Sequence, residues 1–548
     1  MLDETSVLNH LQRRRHLQRM AAEGVDVLVI GGGVTGSGAA LDAAARGLRV
    51  GLVEQRDYAS GTSSRSSKMF HGGLRYLERF EFGLVREALR ERNLMLNELC
   101  PHLVTPVSFI YPLQHRFWER LYVGAGVLVY EVLARLASNP LPWHRHLGRR
   151  RLQSLAPALD AAGGIRYWDA LVDDARHTMT VARTAAAHGA LIASSTRVVG
   201  LTKTPEGRIE AVRVVDLERG VEIAVATRAI VNATGVWTDD VETLAGDHQV
   251  DVKASKGVHF LVPRDRIESD TGILLRTEVS VLFVIPWGEH WIVGTTDTPW
   301  SLHRAHPAAS RSDIEYLLRW VNTAIRDPIS TSDIVGVYAG LRPLLQGETE
   351  ETSRLSREHA VEDRGDGLIT VAGGKYTTYR VMASDAVDAT SSYLDGIPDS
   401  PTAQIPLVGA APFRDDRLHR RYGRLVDEIE ELMAIDPDLA RPVVSDAPYL
   451  MAEIRYAVTH EGALHLDDVL TRRTRLSIET RHRGLEAARP AAELMGHVLG
   501  WDKATIDREI AHYEARVMAE IDSQSQPDDH TADAARMGAP DVRTGSSE

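Results

Sequence analysis

The chain has 548 residues, of which 43% are hydrophobic and 25% are charged, a composition typical of a soluble globular protein. This length exceeds what one hydrophobic core supports and predicts roughly two or three domains. The formal net charge of −13 excludes nucleic acid as a general partner, because phosphate binding requires a basic surface. The single cysteine, Cys100, excludes a disulfide framework and a cysteine-based metal cluster, so we predict no metal site and a reducing, cytoplasmic environment.

Residues 1–22 predict a basic amphipathic helix that precedes the main domains. The segment lacks the continuous apolar core of a signal peptide. Its apolar residues, which are interspersed with arginines, are Leu8, Leu11, Leu17 and Met20.

Residues 25–54 predict a buried strand, a tight turn, a helix and a second strand. The turn carries Gly31, Gly33 and Gly36 in the spacing G-x-G-x-x-G, and Glu54 ends the second strand. Such glycines permit a sharp turn, a close approach of backbone to a pyrophosphate and tight packing of helix on strand, while the acid can accept hydrogen bonds from a ribose. The helix N-terminus also offers unpaired N–H groups to phosphates. The segment therefore predicts dinucleotide binding.

Two polar stretches follow this motif. Residues 61–68 are rich in small hydroxyl side chains, which indicates either a cofactor-lining loop or a plain surface loop. Residues 69–76 combine a double glycine with His71, Arg75 and Tyr76. A double glycine lets backbone pass close to a ring system, and an arginine can form forked hydrogen bonds to an oxyanion. The second stretch therefore favours a ligand site.

Later strands also end in candidate ligand-binding residues. Strand 228–232 runs into Ala233-Thr234-Gly235, and strand 368–371 runs into Gly373-Gly374-Lys375 at the start of a helix. The second of these directs N–H groups and a positive charge at an electron-rich ligand. Residues 252–340 predict a second sheet, whose polar positions include His259 and Thr295 and which is followed closely by Arg342.

The longest apolar stretch, residues 121–134, is too short to span a membrane. Arg120, Arg135 and residues 149–151 give it a basic fringe. An apolar stretch with such a fringe suits docking onto an anionic membrane surface. An ordinary buried helix is the alternative, and the sequence favours neither.

From residue 401 onward the apolar spacing predicts an α-helical domain that ends near residue 522. The small, polar residues 523–548 predict a disordered tail. Arg472, Arg473 and Arg475 predict a solvated or ion-paired face, and the neighbouring Asp467 and Asp468 favour pairing within the domain.

Several of these motifs resemble, in the same order, those of FAD-dependent, quinone-linked glycerol-3-phosphate dehydrogenases of the D-amino-acid-oxidase-like superfamily. The glycine-rich turn and the GGK motif are shared across the superfamily and indicate only FAD. HGGLRYLE at residues 71–78 and HLDDVLTRRTRL at residues 465–476 are more specific. The resemblance covers residues 25–521.

The resemblance implies an α/β, Rossmann-like FAD-binding domain, an α+β substrate domain with an antiparallel sheet, and a C-terminal α-helical domain. The implied divisions are residues 23–98, 165–250 and 355–400 for FAD, residues 99–164 and 251–354 for substrate, and residues 401–522 for the helices.

Carried over residue by residue, the resemblance assigns three sets of side chains. Those implied to bind FAD are Gly31, Gly33, Gly36, Glu54, Thr62, Ser63, Ser64, Ser67, Lys68, Ala233, Thr234, Gly235, Gly374, Lys375, Thr377 and Thr378. Those implied to surround the substrate are His71, Arg75, Tyr76, His259, Thr295 and Arg342. Those implied to be catalytic are His259, Arg342 and Lys375.

The implied reaction oxidises sn-glycerol 3-phosphate to dihydroxyacetone phosphate by hydride transfer to FAD, and electrons then pass to ubiquinone or menaquinone. Arg75 and Arg342 suit the phosphate, since each charge-assisted hydrogen bond contributes ~1.5–3 kcal/mol, or one of them polarises the C2 oxygen. His259 is the preferred proton acceptor and His71 the second choice, because imidazole titrates near neutral pH.

Three other functions stay open at this point. The first is an oxidase that passes electrons to oxygen, acting on glycerol 3-phosphate or on a 2-hydroxy or amino acid. The second is a flavin- or nucleotide-binding sensor or membrane scaffold without turnover. A nicotinamide dehydrogenase would fit the first motif alone, but the GGK element suits a flavin better. We expect a cytoplasmic protein, or one bound peripherally to the inner face of the membrane, and the sequence leaves open whether it forms a homodimer.

Overall fold

The protein, as a computed structural model, is described at residues 6–115, 117–246, 249–278, 281–345, 358–539 and 542–543. The strands in chain order are β1 (Val25–Ile30), β2 (Val50–Val53), β3 (Met69–Phe70), β4 (Val104–Leu113), β5 (Arg145–Gly148), β6 (Gly163–Val172), β7 (Leu191–Ala193), β8 (Thr196–Lys203), β9 (Ile209–Asp216), β10 (Val221–Asn232), β11 (Val252–Pro263), β12 (Gly272–Arg276), β13 (Val281–Trp287), β14 (His290–Gly294), β15 (Thr298–Trp300), β16 (Gly336–Leu345), β17 (His359–Asp363) and β18 (Leu368–Gly373).

The α-helices are α1 (His10–Glu23), α2 (Val34–Ala45), α3 (Phe82–Leu94), α4 (Trp118–Arg135), α5 (Arg149–Leu155), α6 (Asp174–Ala187), α7 (Thr238–Ala245), α8 (Arg311–Asn322), α9 (Tyr379–Asp388), α10 (Arg417–Tyr422), α11 (Val426–Ile435), α12 (Met451–His460), α13 (Leu476–Glu479), α14 (Leu485–Leu499), α15 (Lys503–Ser523) and α16 (Asp529–Arg536). The short 3-10 helices near the site are Thr62–Ser64, Leu74–Arg79, Gly235–Trp237 and Tyr376–Thr378.

The first sheet has the strand order β17-β18-β10-β1-β2-β7, and β8 and β9 extend it as a meander from β10. Its central strands pair in parallel, as expected for near-continuous runs of buried aliphatic residues such as β1. Helices α2, α6 and α9 cover one face, and α1 packs against β7 and β10. This arrangement confirms the predicted Rossmann-like domain.

The second sheet has the order β15-β11-β14-β13-β12-β4-β6-β3, with β16 paired to β11 and β5 to β6. Its pairs are antiparallel except β4 with β12. Helix α8 packs against it and completes a separate hydrophobic core. The predicted antiparallel substrate domain is therefore confirmed.

The predicted division at residue 165 is wrong, because residues 165–172 belong to the second sheet. That segment is part of the single strand β6, which pairs with β4 and with β3 (Met69–Phe70) in the second sheet. Sequence shows that a segment is a strand, but the sheet it joins depends on partners some sixty residues away. The predicted boundary at 354/355, residues 1–5 of the predicted N-terminal helix, and residues 540–541 and 544–548 of the predicted tail lie outside the described residues.

The C-terminal helical domain is confirmed, with its own core. The predicted disorder after Ser523 is wrong for the part of the tail that the structure describes, because α16 forms there. The Asp528 side chain caps α16 by accepting from the Thr531 N–H, and Ala532 is fully buried. Its acidic residues pair with Lys256 and His303, distant partners that composition cannot reveal.

Helix α1 is only in part the predicted basic amphipathic helix. Leu17 and Met20 face the first sheet, but Leu11 is exposed. Arg13 is buried and donates to the carbonyl oxygens of residues 194 and 195 and to the Asp216 carboxylate. The α1 arginine thus fastens the helix to the domain. Along the described ranges we find no helix with the length and hydropathy needed to cross a bilayer.

Candidate active site

A continuous cavity of about 1950 Å³ lies at the carboxyl ends of β1, β2, β10 and β18 and extends along β11 and β16 of the second sheet. Ligands of open α/β sheets bind at this edge, where loops from neighbouring strands diverge. The cavity has a dinucleotide end, a polar middle between the sheets, and an apolar limb that reaches the surface near α4.

At the dinucleotide end, the glycine turn leads into the exposed N-terminus of α2. Gly31 has a φ of +110°, and a Cβ there would lie 2.7 Å from the Ala233 carbonyl oxygen. A Cβ at Gly36 would overlap the Gly31 carbonyl, so this glycine packs helix on strand and does not line the cavity. Gly33 has no side chain to cap α2, and the Val34 N–H donates to Ser63 Oγ at 2.9 Å; the other N–H groups of the first turn form a cradle suited to a pyrophosphate.

Glu54 lies in the cavity wall beside this turn. Its carboxylate accepts from the Gly32 N–H at 2.6 Å and from the Arg56 N–H at 2.8 Å. Burial raises the pKa of Glu54, which these hydrogen bonds oppose. The two bonds fix the carboxylate where a ribose diol would meet it, and Ala233, Thr234 and Gly235 form the facing wall.

The loop at residues 61–68 is divided between the cavity and the protein interior. Thr62, Ser63 and Ser67 line the cavity, as predicted, but Ser64 and Lys68 do not. Lys68 is fully buried and donates to Asp174 at 2.8 Å and to the Ser64 carbonyl oxygen at 3.0 Å. The predicted contact of Lys68 with a flavin is therefore not what the structure has, because its charge is neutralised by a carboxylate behind the loop.

Asp174 is the centre of that buried cluster, and sequence reasoning missed it. It accepts from the Ser66 N–H at 2.9 Å, from Lys68, and from Arg475 of the helical domain at 2.6 Å. Its partners are 106 to 301 residues away in sequence, so no local pattern marks it. Asp174 ties the cofactor loop to the C-terminal domain.

The arginines of HLDDVLTRRTRL are buried rather than solvated. Arg472 pairs with Asp467 and Asp468, as predicted, but also with Asp57 of the first domain at 2.5 Å. Arg473 pairs with Asp57 at 2.7 Å. This motif is the ionic seam between the helical domain and the FAD-binding domain.

The structure brings all the predicted substrate residues to the wall of the same cavity that Glu54 lines. Arg75, which follows β3, and Arg342, which lies on β16, share this one space. The lining residues in question are His71, Arg75, Tyr76, His259, Thr295, Arg342 and Lys375.

His259 projects from β11 between Gly294 of β14 and Tyr338 of β16. Its Nε2 lies 2.9 Å from Ser67 Oγ, and its ring stacks on Tyr338 with a centroid distance of 4.8 Å. Burial, followed by the positive charges of Arg342 and Lys68, lowers the pKa of His259 well below its usual value. The ring is therefore neutral at pH 7 and can accept a proton.

Arg342 is held by the polar end of the β14–β15 connection. It donates to Thr295 Oγ1 at 2.9 Å and to the Thr296 carbonyl oxygen at 3.1 Å, and it lies 3.5 Å from the Asp297 carboxylate. These contacts orient a guanidinium that is still partly exposed to the cavity. Such an arrangement suits an anionic ligand.

Lys375 packs against the Tyr76 ring in the cavity wall, which His71 also lines. Its Nζ lies 3.9 Å from the Tyr76 ring centroid, and the Arg75 guanidinium lies 5.3 Å from the same ring. Burial lowers the pKa of His71 to about 3, with further contributions from Lys375, Arg75 and Arg92. A positive field of this kind stabilises negative charge on a ligand.

The GGK turn approaches the cavity as predicted, with one exception. Gly374, Lys375 and Thr377 line the cavity, whereas Thr378 is buried behind it and its N–H donates to the Lys375 carbonyl oxygen. The cradle of α2, the anchored Glu54 and the glycine-rich GGK turn are thus a donor set that fits FAD: the first two would hold the ADP half, and the GGK turn would hold the flavin.

The apolar limb was not predicted as part of the site. The residues that line it are Phe80, which follows the 3-10 helix Leu74–Arg79, Phe82 at the start of α3, and Tyr122, Val123 and Val129 of α4. One face of α4 is buried, and its other face is exposed, with Leu121 at 76% and Leu136 just after the helix at 69%. The predicted alternative of an ordinary buried helix therefore holds for one side of α4 only, and the other side is an exposed apolar surface.

Comparison with known proteins agrees with this geometry. Residues 26–380 match the family of FAD-dependent oxidoreductases, and residues 400–506 match the C-terminal domain of alpha-glycerophosphate oxidase. The chain is 52% identical to a glycerol-3-phosphate dehydrogenase of Mycobacterium leprae over 98% of this chain and 96% of that protein. It is 35% identical to the mitochondrial glycerol-3-phosphate dehydrogenase of Mus musculus over 88% of this chain and 72% of that protein.

Among solved structures, the chain is similar to the glycerol-3-phosphate dehydrogenase from Bacillus halodurans complexed with FAD. The TM-score is 0.75 at 26% identity, covering 93% of this chain and 97% of the other. The L-alpha-glycerophosphate oxidase of Mycoplasma pneumoniae, at 18% identity and a TM-score of 0.54, shares the fold. The cofactor of the present chain is therefore FAD. The chain belongs to the FAD-dependent oxidoreductases and, within them, to the glycerol-3-phosphate dehydrogenase family.

Proposed function

We propose that the protein oxidises sn-glycerol 3-phosphate to dihydroxyacetone phosphate. The observation that carries the proposal is that His259, Arg342, Arg75 and Lys375 converge on one cavity continuous with the dinucleotide cradle. FAD, when bound, supplies the two-electron chemistry, receiving the C2 hydrogen as a hydride. The names of the relatives support the choice of substrate.

The residues of this chain then divide the remaining work. Arg342 and Arg75 bind and orient the phosphate dianion, and Thr295 fixes the Arg342 guanidinium. His259 accepts a proton at Nε2 from the Ser67 hydroxyl, and Ser67 takes up the proton of the C2 hydroxyl in its place. Lys375 provides positive charge on the side where electrons accumulate.

Anaerobic titration tests this function. The purified protein should lose its oxidised-flavin absorption on addition of sn-glycerol 3-phosphate, whereas glycerol, which lacks the phosphate, and sn-glycerol 1-phosphate, its mirror image, should leave the band intact at the same concentration. Bleaching by an amino acid or a 2-hydroxy acid instead would replace the proposal with the oxidase alternative.

We also propose that the electron acceptor is a membrane quinone and that the protein docks peripherally on the cytoplasmic face of the membrane. The support is the apolar limb, which joins the flavin region to the exposed face of α4. An apolar acceptor partitions into such a limb, and the exposed leucines and aromatic residues suit the headgroup boundary of a bilayer. Reoxidation of the reduced protein should be faster with a short-chain benzoquinone than with oxygen; the reverse order would indicate an oxidase.

Docking is tested by sedimentation with anionic phospholipid vesicles. The L121S/L136S variant should lose most of the bound fraction, because it removes exposed apolar area from the α4 face. The I435S variant is the matched control, since Ile435 is 83% exposed on α11. Equal binding by both variants would exclude α4 as the docking surface.

A further inference from the structure

The C-terminal helix α16 forms an outer layer behind the cavity wall. Its buried Ala532 packs in a hydrophobic cluster with Val236, Trp300 and Leu341. Those three residues also line the large cavity. A single layer of side chains therefore separates α16 from the space assigned to FAD.

Ionic contacts fix α16 on both sides of this cluster. Asp533 lies 2.7 Å from His303 Nδ1, and His303 belongs to the 301–305 segment that lines the cavity. Asp529 pairs with the fully buried Lys256 and accepts from Ser310 Oγ at 3.1 Å. Just before α16, the Gln526 carbonyl oxygen accepts from the Arg311 N–H at 2.8 Å.

Lys256 links these contacts to the second sheet. Its Nζ lies 2.6 Å from Asp313 Oδ2 and 5.0 Å from the centroid of the Trp300 ring. A buried ammonium group is costly unless it is paired. Loss of either Asp313 or Asp529 would therefore weaken the contact between α16 and the second sheet. From the opposite side, Arg304 donates to the Val236 carbonyl oxygen at 2.8 Å and pairs with Asp240. The 301–305 segment is thus held by α16 through His303 and by the first domain through Arg304.

We propose that α16 is a strap that retains the bound dinucleotide, by holding Trp300 and the 301–305 segment against the cavity. FAD then leaves only when this wall opens, and opening requires α16 to lose its ion pairs and the burial of Ala532. Because binding linkage is reciprocal, bound FAD in turn holds α16 in place. The inference rests on the placement of FAD proposed above and adds a role for a segment outside both matched family regions.

The test compares two full-length variants of α16. A532D places a charge in the buried cluster, whereas A534D places the same charge on the exposed side of the helix. FAD release is followed by the rise in flavin fluorescence after dilution of the holoenzyme. We expect release about tenfold faster for A532D and within about twofold of the unsubstituted protein for A534D. The double variant D529N/D533N removes the ion pairs without adding a charge, and it should also accelerate release if A532D fails to fold.

Limited proteolysis supplies a readout that does not involve activity. Trypsin should cleave after the buried Arg536 more slowly in the FAD-bound protein than in the apoprotein, and faster in D529N/D533N than in the unsubstituted chain. Faster cleavage with an unchanged rate of FAD release would overturn the strap. That result would leave bleaching by glycerol 3-phosphate unaffected, so it is distinct from a failure of the proposed function.

Discussion

Ser67 Oγ lies 2.9 Å from His259 Nε2, although the two residues are 192 positions apart. The ring is further fixed by its stack on Tyr338, whose own hydroxyl donates to the Ser66 carbonyl oxygen at 3.0 Å. A hydroxyl can both donate and accept, so the contact survives when Nε2 gains a proton. The cofactor loop therefore positions the proposed proton acceptor.

Removing either member of this pair should slow the reductive step. We expect H259Q to lower the rate of flavin bleaching by about 10²–10⁴, the usual contribution of a general base. S67A should lower it by about tenfold, because the ring loses the hydroxyl that orients it and passes it the proton, and S67T should restore it. Anaerobic stopped-flow measures these rates, and an S67A rate equal to that of the unsubstituted protein would remove Ser67 from the mechanism.

The lowered pKa of His259 predicts how the same rate depends on pH. An unperturbed histidine protonates near pH 6.5 and stops acting as a base below it, whereas the buried His259 stays neutral there. The bleaching rate should therefore hold as the pH falls through 6.5 and decline only at lower pH. R342M removes the nearest positive charge and should move the decline upward. An inflection at 6.5 in the unsubstituted protein would contradict this assignment.

Acid sensitivity of the fold follows from a second buried histidine. Burial lowers the pKa of His177 to about 3, so the folded chain does not bind a proton that the unfolded chain binds below 6.5. Its contribution to stability is present above pH 6.5 and is lost as the pH falls from 6.5 towards 3, with a slope of at most ~1.4 kcal/mol per pH unit. The free energy of unfolding, measured by urea titration at several pH values between 6.5 and 3, should fall less steeply with decreasing pH in H177Q than in the unsubstituted chain. Parallel slopes would show that His177 already carries its proton in the folded state.

The effects of replacing Arg342 and Arg75 on KM and on kcat should show which of them binds the phosphate. Replacement of either by lysine removes forked hydrogen bonding and should cost ~1.5–3 kcal/mol where that arginine binds the phosphate. We expect R342K and R75K to raise KM for glycerol 3-phosphate by about tenfold or more. If one of them lowers kcat and leaves KM unchanged, that arginine acts on the C2 oxygen instead.

Lys68 should contribute to stability through Asp174. K68M leaves the buried Asp174 with one cation fewer, which should cost about 3–5 kcal/mol and lower the thermal midpoint. The double variant K68M/D174N should lose less than the sum of the single changes, because each removes the same pair. Strict additivity in this cycle would show that the ion pair is not coupled.

Much of this architecture could be predicted because its signals are local. The turn from Gly31 to Gly36 is specified by sterics within a few residues, and the GGK turn likewise. Strand β11 could be predicted because its apolar residues follow one another in the sequence. The resemblance then placed His259, Arg342 and Arg75 in one site, and the geometry brings them into one cavity.

What could not be predicted depends on partners far along the chain. Lys68 stands in a loop of cavity-lining residues, yet its ammonium group turns towards Asp174, 106 positions away. The tail after Ser523 has the composition of a disordered segment, but Lys256 provides a counter-charge and His303 a hydrogen-bonding partner for α16. The composition of a segment indicates only whether the segment can bury enough apolar surface to order itself. These segments are ordered by partners from other parts of the chain, and composition does not show those partners.

The ionic seam of Asp57, Asp173 and Asp174 with the arginines of the helical domain limits how the protein can be dissected. A fragment ending before residue 401 would leave the buried Asp57 and the partly buried Asp173 without these arginines, and Asp174 with Lys68 as its counter-charge. A smaller flavoprotein built from these residues would therefore need Asp57 and Asp173 replaced by neutral residues, with Asp174 kept for Lys68. The intact chain should accordingly melt in one calorimetric transition, with the cofactor-binding and helical halves unfolding together.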